Sequence, residues 1–402
     1  MKKTAKAIFT VFSSAITALY LIICYYSLKM PDRWYSENGK NFRINTFLPI
    51  EVKNKLYDTE STFQNSRSSS SYAEMKLFGI IPIKSININE TDKKFLIPGG
   101  ELYGLKIHIN GAVVTSMGNV ESSSGNICPA EKGNIQTGDI IKTISGKSIK
   151  SSEDIENILA LSEGEPVSVC AERNGEEYKT SITPVFSENS KRFEIGMWVR
   201  DSTAGIGTVT FYDTENNIFG SLGHPVCDSD TGTFIPFGEC ETSGVKIKGI
   251  EKGSFGKAGA IKAEFTNEKG IGVISGNTEC GVYGSINSEN LPQKEKLQLG
   301  CKQEIHTGKA FIYCSVDENT AEKYDIEIKK INYNSKEKTK DMVIKITDSR
   351  LLEKTGGIVC GMSGSPIIQD NKIIGAVTHV FVKNSSEGYA VFCENMLNEI
   401  KK

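Results

Sequence analysis

Between Lys6 and Lys29 the chain runs for 22 residues, Ala7 to Leu28, without a charge. The stretch is rich in Ile, Leu, Phe, Ala and Tyr, and about 20 such residues suffice for a helix to cross the hydrocarbon core of a bilayer. Lys2, Lys3 and Lys6 precede it, and positive charge stays on the cytoplasmic side, so the body of the chain is expected outside the cytoplasm. A cleavable secretion signal has a shorter apolar core and a small-x-small ending. This stretch instead ends Cys24-Tyr25-Tyr26-Ser27-Leu28-Lys29, which favours a retained anchor. Residues 1–28 are therefore read as a cytoplasmic tip and a transmembrane helix.

The remainder of the 402 residues has room for two or three domains, each with its own core. A formal net charge of −2 supplies no basic field, which argues against nucleic acid as a partner. Glycine, at 38 residues against 11 prolines, implies many turns and a mainly β body. The ten cysteines are scattered with no CxxC pair, so neither a metal site nor a redox motif is expected, and no cofactor is implied. They are taken as buried thiols, although a chain exported from the cytoplasm can form disulfides.

Residues 29–76, with Ser66-Arg67-Ser68-Ser69-Ser70-Ser71, are too polar to suggest a core and read as a poorly ordered tether. Strand-like runs resume at Leu77–Ile83, so 29–95 becomes a tether with a strand-like lead-in. Next come Ile97-Pro98-Gly99-Gly100 and Leu102-Tyr103-Gly104-Leu105, where a loop ahead of a strand can aim N–H groups at a peptide carboxylate. Thr137-Gly138-Asp139-Ile140-Ile141 and Ile144-Ser145-Gly146-Lys147 form a turn, strand and turn. Ser151 and Asp154 make a capping-box-like start to a helix with Ile155, Ile158 and Leu159 on one face. Asn174-Gly175 then turns a hairpin. This order resembles a PDZ domain over residues 96–186, with Leu102, Tyr103, Gly104 and Leu105 as its peptide-binding loop. The Gly118–Asn126 insert departs from a compact PDZ.

Residues 191–402 carry the chemistry. Gly361-Met362-Ser363-Gly364-Ser365-Pro366 is a G-x-S-G-x-P pattern. Its glycines permit a tight turn that points the N–H groups of Gly361 and Ser363 into one hollow, where an oxyanion could be held. Ser363 is then the nucleophile and needs a histidine to take its proton. The pattern is that of chymotrypsin-like peptidases. The longer string Thr355–Ile367, with Gly375–Phe381, Gly388–Leu397, Trp198–Tyr212 and Phe219–Asp228, resembles the SpoIVB peptidase family. That resemblance implies a double β-barrel serine protease domain beside the PDZ module. It further implies an anchored endopeptidase that cuts itself and then a membrane signalling regulator, between the two membranes of a developing spore, to activate a late sigma factor.

Of the four histidines, His108 lies in the expected PDZ strand, His306 in a polar stretch and His379 after the serine. His224, between Gly223 and Pro225, precedes Ser363 as a His-first triad demands and aligns with the family's catalytic histidine. Asp348 matches the family's proposed acid, but it stands 15 residues before Ser363 and could instead underlie the specificity pocket or cap a turn. Asp228 and Asp230 are its rivals. Pro225 stands where the family is expected to have glycine. Two other readings remain at this point: a catalytically idle PDZ adaptor, and a paralogous sporulation peptidase with a different substrate. The expected partners are protein substrates, peptide ligands and the membrane.

Overall fold

The computed structural model describes residues 2–37, 42–44, 46–54, 70–236, 240–317 and 320–400. Helix α1 (Lys2–Lys29) leads into five strands: β1 (Arg33–Glu37), β2 (Phe42–Ile44), β3 (Ile50–Asn54), β4 (Ser70–Leu77) and β5 (Ile81–Thr91). They form one sheet in the order β1-β5-β4-β3-β2. Where a poorly ordered tether is expected over 29–76, the described residues 33–37, 42–44, 50–54 and 70–76 are thus strands of this sheet. Ile50 and Val52 of β3 and Ala73, Met75 and Leu77 of β4 alternate with polar neighbours, and the apolar set is buried. Of the serine-rich run, Ser66–Ser69 lie outside the described residues.

Trp34 docks this sheet. It is fully buried, 5.6 Å from the Tyr333 ring and 5.7 Å from Phe42. The Lys302 ammonium donates to the Arg33 carbonyl at 3.0 Å, and the Gln303 amide donates to that of Tyr35. Both occupy polar groups along the strand that carries Trp34.

The body is mainly β. Strands β6 (Phe95–Pro98) and β7 (Leu102–Met117) precede a small unit. It comprises β8 (Val120–Ser122), β9 (Gly125–Ile127), α2 (Pro129–Lys132), β10 (Ile140–Ile144), β11 (Lys147–Ser148), α3 (Ser152–Leu161), β12 (Val167–Arg173) and β13 (Glu176–Ile182). The capping box forms as expected: Ser151 accepts from Asp154 N, and Asp154 accepts from Ser151 N. Ile155, Ile158 and Leu159 are buried, in a core running from Ala112 to Ile195. Asn174 and Gly175 both take positive φ (53° and 84°), the geometry a two-residue hairpin demands. The insert read at Gly118–Asn126 contains the small hairpin of β8 and β9.

After β14 (Val185–Phe186) and β15 (Phe193–Glu194) comes β16 (Met197–Asp213), which links the unit to the rest. Its first residues pair with the far end of β7, while Ser202–Thr208 pair with Leu102–His108. Strands β17 (Ile218–Ser221), β18 (Cys240–Glu251), β19 (Gly259–Thr278) and β20 (Gly281–Ile286) complete one curled sheet. A second contains β21 (Leu297–Leu299), β22 (Gly308–Cys314), β23 (Glu322–Ile331), β24 (Met342–Ile346), β26 (Pro366–Gln369), β27 (Lys372–Phe381) and β28 (Asn384–Phe392). Strand β6 pairs into both, and the strands close into a barrel-like system. Helix α4 (Ser349–Thr355) and β25 (Val359–Cys360) lead to the serine turn, and α5 (Cys393–Ile400) closes the last sheet.

Leu102-Tyr103-Gly104-Leu105 is therefore a strand segment, not a loop. It pairs with β16 and β18, and its side chains are buried, Tyr103 donating to or accepting from Ser221 Oγ at 2.7 Å. The start of the expected PDZ domain belongs to the curled sheet that carries His224. If the N-terminal sheet is docked rather than a tether, Trp34→Ala should cost about 3–5 kcal/mol of stability. Urea unfolding of the detergent-solubilised chain, followed by far-UV circular dichroism, measures this. An unchanged midpoint would mean that the segment contributes no fold.

Candidate active site

Ser363 sits in a turn whose geometry is fixed from β16. Gly361 and Gly364 have φ of 102° and 96°, a region that glycine enters without strain. The Thr208 hydroxyl donates to Gly361 O at 2.6 Å, and the Thr210 hydroxyl donates to Gly364 O at 2.8 Å. Both threonines are fully buried. A Cβ on Gly364 would lie 2.1 Å from Thr208 O and 2.5 Å from Leu222 N, so no other residue fits between the serine turn and the histidine loop. The bonds that close the turn use Met362 N, Gly364 N and Ser365 N. They leave the N–H groups of Gly361 and Ser363 out of the turn.

His224 follows a similar tight bend, with Leu222 and Gly223 at φ of 65° and 72°. Its Nδ1 lies 2.8 Å from the Pro225 carbonyl oxygen. A carbonyl only accepts, so the contact places the proton on Nδ1 and leaves Nε2 as an acceptor. Burial holds the His224 pKa below the ordinary value, partly offset by that carbonyl. The His379 ring, centred 5.1 Å from it, is pushed down to about 4 by lost hydration, then by His224 and Lys340.

Ser363, Gly361 and His224 line one cavity of about 320 Å³. Its other walls include Leu105, Ile206 and Leu222. The serine hydroxyl donates to the Thr378 carbonyl at 2.9 Å in this state. Asp348 is not brought to the histidine. Its carboxylate caps α4 by accepting from Arg350 N, pairs with the Arg350 guanidinium at 2.8 Å and accepts from Asp325 N. Arg350 foremost holds it down to about 2. The rivals are also engaged elsewhere: Arg200 takes Asp228 and Asp230, each at 2.5 Å. Of the alternatives left by the sequence, capping is the one Asp348 adopts.

Two features escaped the sequence reading. Cys227 and Cys360, both exposed, line the same cavity as the serine. A second cavity of about 390 Å³ lies between α3 and residues 192–199, where Ile195-Gly196-Met197 repeats the hydrophobic-Gly-hydrophobic pattern sought at 102–105. All ten cysteines are free thiols, and among the described residues no three His, Cys, Asp or Glu side chains gather as a metal-binding group.

A mainly β chain with a G-x-S-G-x-P serine and a histidine in one cavity belongs to the peptidases by sequence as well. The family description SpoIVB peptidase S55 matches residues 191–397, just over half of the chain, and the chain belongs to that family. A Clostridium acetobutylicum protein named as a zinc metalloprotease is 26% identical over 153 residues, covering 37% of this chain and 41% of that protein. A Bartonella henselae protein of the same designation is 33% identical over 79 residues, covering 20% and 22%. The chain thus spans less than half the length of either. The PDZ domain of an SdrC-like protein from Listeria monocytogenes aligns with 23% of this chain and 90% of its own, at 20% identity and a TM-score of 0.19.

The exposures predict thiol chemistry. In the native state N-ethylmaleimide should label Cys227 and Cys360 well ahead of the buried Cys128, Cys280, Cys301, Cys314 and Cys393. Peptide mapping by mass spectrometry reads the order, and equal labelling of the two sets would contradict this cavity.

Proposed function

We propose that the chain is a membrane-anchored serine endopeptidase whose residues 191–402 form a chymotrypsin-like double barrel. Ser363 is the nucleophile, His224 the general base, and the N–H groups of Gly361 and Ser363 the oxyanion hole. The observation that carries this reading is that Ser363, Gly361 and His224 line one cavity at the meeting of two curled sheets. In the first step the Ser363 hydroxyl leaves the Thr378 carbonyl and gives its proton to His224 Nε2, while Oγ attacks the scissile carbonyl carbon. The oxyanion that forms faces the two N–H groups, each typically worth about 3–4 kcal/mol. His224 then protonates the leaving amine, and water repeats the sequence on the acyl-enzyme.

The imidazole is oriented by the Pro225 carbonyl, and Asp348 serves as a helix cap. Peptide ligands are taken by the groove between α3 and Ile195–Val199, where an extended chain can add as a strand. α1 anchors the protein with its N-terminus in the cytoplasm. Its Lys6–Lys29 segment is long and apolar enough to cross a bilayer. The family resemblance extends the proposal to self-cleavage between α1 and β4, and to cutting a membrane-bound sporulation regulator that leads to late sigma-factor activation.

Ser363→Ala and His224→Ala should each lower peptide cleavage by several orders of magnitude with the fold intact. Expression of the parent and Ser363→Ala in a host lacking relatives, with N-terminal sequencing, tests self-cleavage. Trimming of the mutant at the same site and rate would refute it. Asp348→Asn should leave turnover within a few-fold and, because asparagine caps a helix as well as aspartate does, cost less than about 1 kcal/mol of stability through the lost pair with the exposed Arg350. A collapse of turnover in a folded Asp348→Asn protein would restore the aspartate as the triad acid.

The pH profile follows from the depressed His224 pKa. The base works when neutral, and the neutral form of a histidine predominates above its pKa. Lowering that pKa from 6.5 therefore extends activity toward acid. The acid limb of kcat/KM should have its midpoint below pH 6.5; a midpoint at 7 or above would reveal a carboxylate partner.

A further inference from the structure

A cavity that shares no lining residue with the serine cavity lies beside the C-terminal end of α1. It has a volume of about 1190 Å³ and is walled by α1, the Thr46–Leu48 turn and strand β23. Leu21, Ile22, Leu48 and Ile331 give it an apolar side. Lys29, Lys329 and Lys330 give it a cationic side. Lys329 faces Glu327 at 3.4 Å, whereas Lys29 and Lys330 have no carboxylate partner among the described residues. Lys29 instead donates to the Tyr25 hydroxyl at 2.5 Å.

The depth of this cavity follows from the length of α1, and the inference rests on the anchor reading above. The helix has 28 residues, about 42 Å at 1.5 Å per residue. A hydrocarbon core of about 30 Å takes roughly 20 residues, so a span beginning after Lys6 reaches as far as Tyr26. Yet from Leu19 onward the helix packs on the body: Leu19 and Ile22 lie against the main core, and Tyr26 and Met30 are buried in it. The Tyr26 hydroxyl accepts from Leu48 N at 3.2 Å, and Leu28 O accepts from Asn334 at 3.3 Å. The body therefore meets the last two turns of the span, at the level of acyl chains and headgroups. Phe47, 97% exposed at the cavity rim, points an apolar ring from this face. An occupant of the cavity must satisfy lipid at one end and cations at the other.

We propose that this cavity holds one anionic phospholipid of the leaflet beside the catalytic body. Its phosphate lies among Lys29, Lys329 and Lys330, and its acyl chains lie along Leu21, Ile22 and Ile331.

The test uses the full chain reconstituted in nanodiscs of phosphatidylcholine with or without phosphatidylglycerol. Native mass spectrometry then counts the lipids that remain bound after mild disruption. The expected result is one retained phosphatidylglycerol in preference to phosphatidylcholine. Each lysine near an anionic surface contributes about fivefold, so Lys29→Gln with Lys329→Gln and Lys330→Gln should reduce that preference on the order of a hundredfold. A matched triple substitution at Lys147, Lys246 and Lys248 should leave it intact. Entry into the nanodisc without lipid preference, or a preference that survives the first triple variant, overturns the lipid site and leaves the anchor standing. So does displacement of the lipid by inorganic phosphate at equal concentration, or a protein dimer that excludes it. Failure of the chain to enter the bilayer overturns the anchor reading and this inference with it.

Discussion

Two buried hydroxyls hold the site together. Thr208 and Thr210, two residues apart and on the same face of β16, donate to the carbonyls of Gly361 and Gly364 on either side of Ser363. A buried hydroxyl without a partner is destabilising by several kcal/mol at worst, and so is a buried carbonyl. The two bonds satisfy both sets of groups at once and therefore admit one position of the turn. The same strand also accepts Leu222 N at Thr208 O, so the loop that carries His224 is referenced to the same residue. The serine turn and the histidine loop come from segments more than a hundred residues apart, and β16 is the ruler between them.

That strand also explains why the small α/β unit and the curled sheets cannot be separated at a simple linker. β16 runs without a break from Met197, beside α3, to Asp213, and β7 runs alongside it from Met117 back to Leu102. The unit is thus an excursion between two strands that both continue into the sheet behind the cleft. Whatever occupies the groove at Ile195–Val199 touches the beginning of the strand whose far half holds Ser363's turn.

What was legible in the sequence was local. The Ser151–Asp154 capping box, the Asn174-Gly175 hairpin and the long apolar helix each depend on residues within a few positions of one another. The serine turn was legible for the same reason, because its glycines declare their own backbone. Leu102–Leu105 was misread because its pattern suits a carboxylate loop and a buried strand equally, and its partners at Thr208 and Ser243 are remote in sequence. The sheet of β1–β5 is not legible because its strands are half-polar and because Trp34, which docks it, meets Tyr333 across 299 positions, a contact that no window of sequence contains. The cysteines facing the cleft were hidden similarly, since exposure is a property of the fold.

The aspartate shows how charge pairing decides a role that a motif leaves open. A carboxylate oriented toward an imidazole would raise the imidazole's pKa and keep its own charge available to it. Asp348 does neither: Arg350 neutralises it from two residues away, with the guanidinium, the Arg350 backbone and Asp325 N filling its acceptor sites. Turning it toward His224 would uncap α4 and leave the guanidinium alone, a double loss with no compensating desolvation of the partner. The Pro225 carbonyl meanwhile supplies the orientation at 2.8 Å without adding charge. A neutral acceptor fixes the tautomer but stabilises the imidazolium less than a carboxylate does. In the proposed mechanism this arrangement gives a base that stays unprotonated in mildly acid surroundings and accepts a proton less avidly in the transition state. His379, close by and with its own pKa depressed, adds no positive charge at neutral pH, so the cavity stays electrically quiet until substrate arrives.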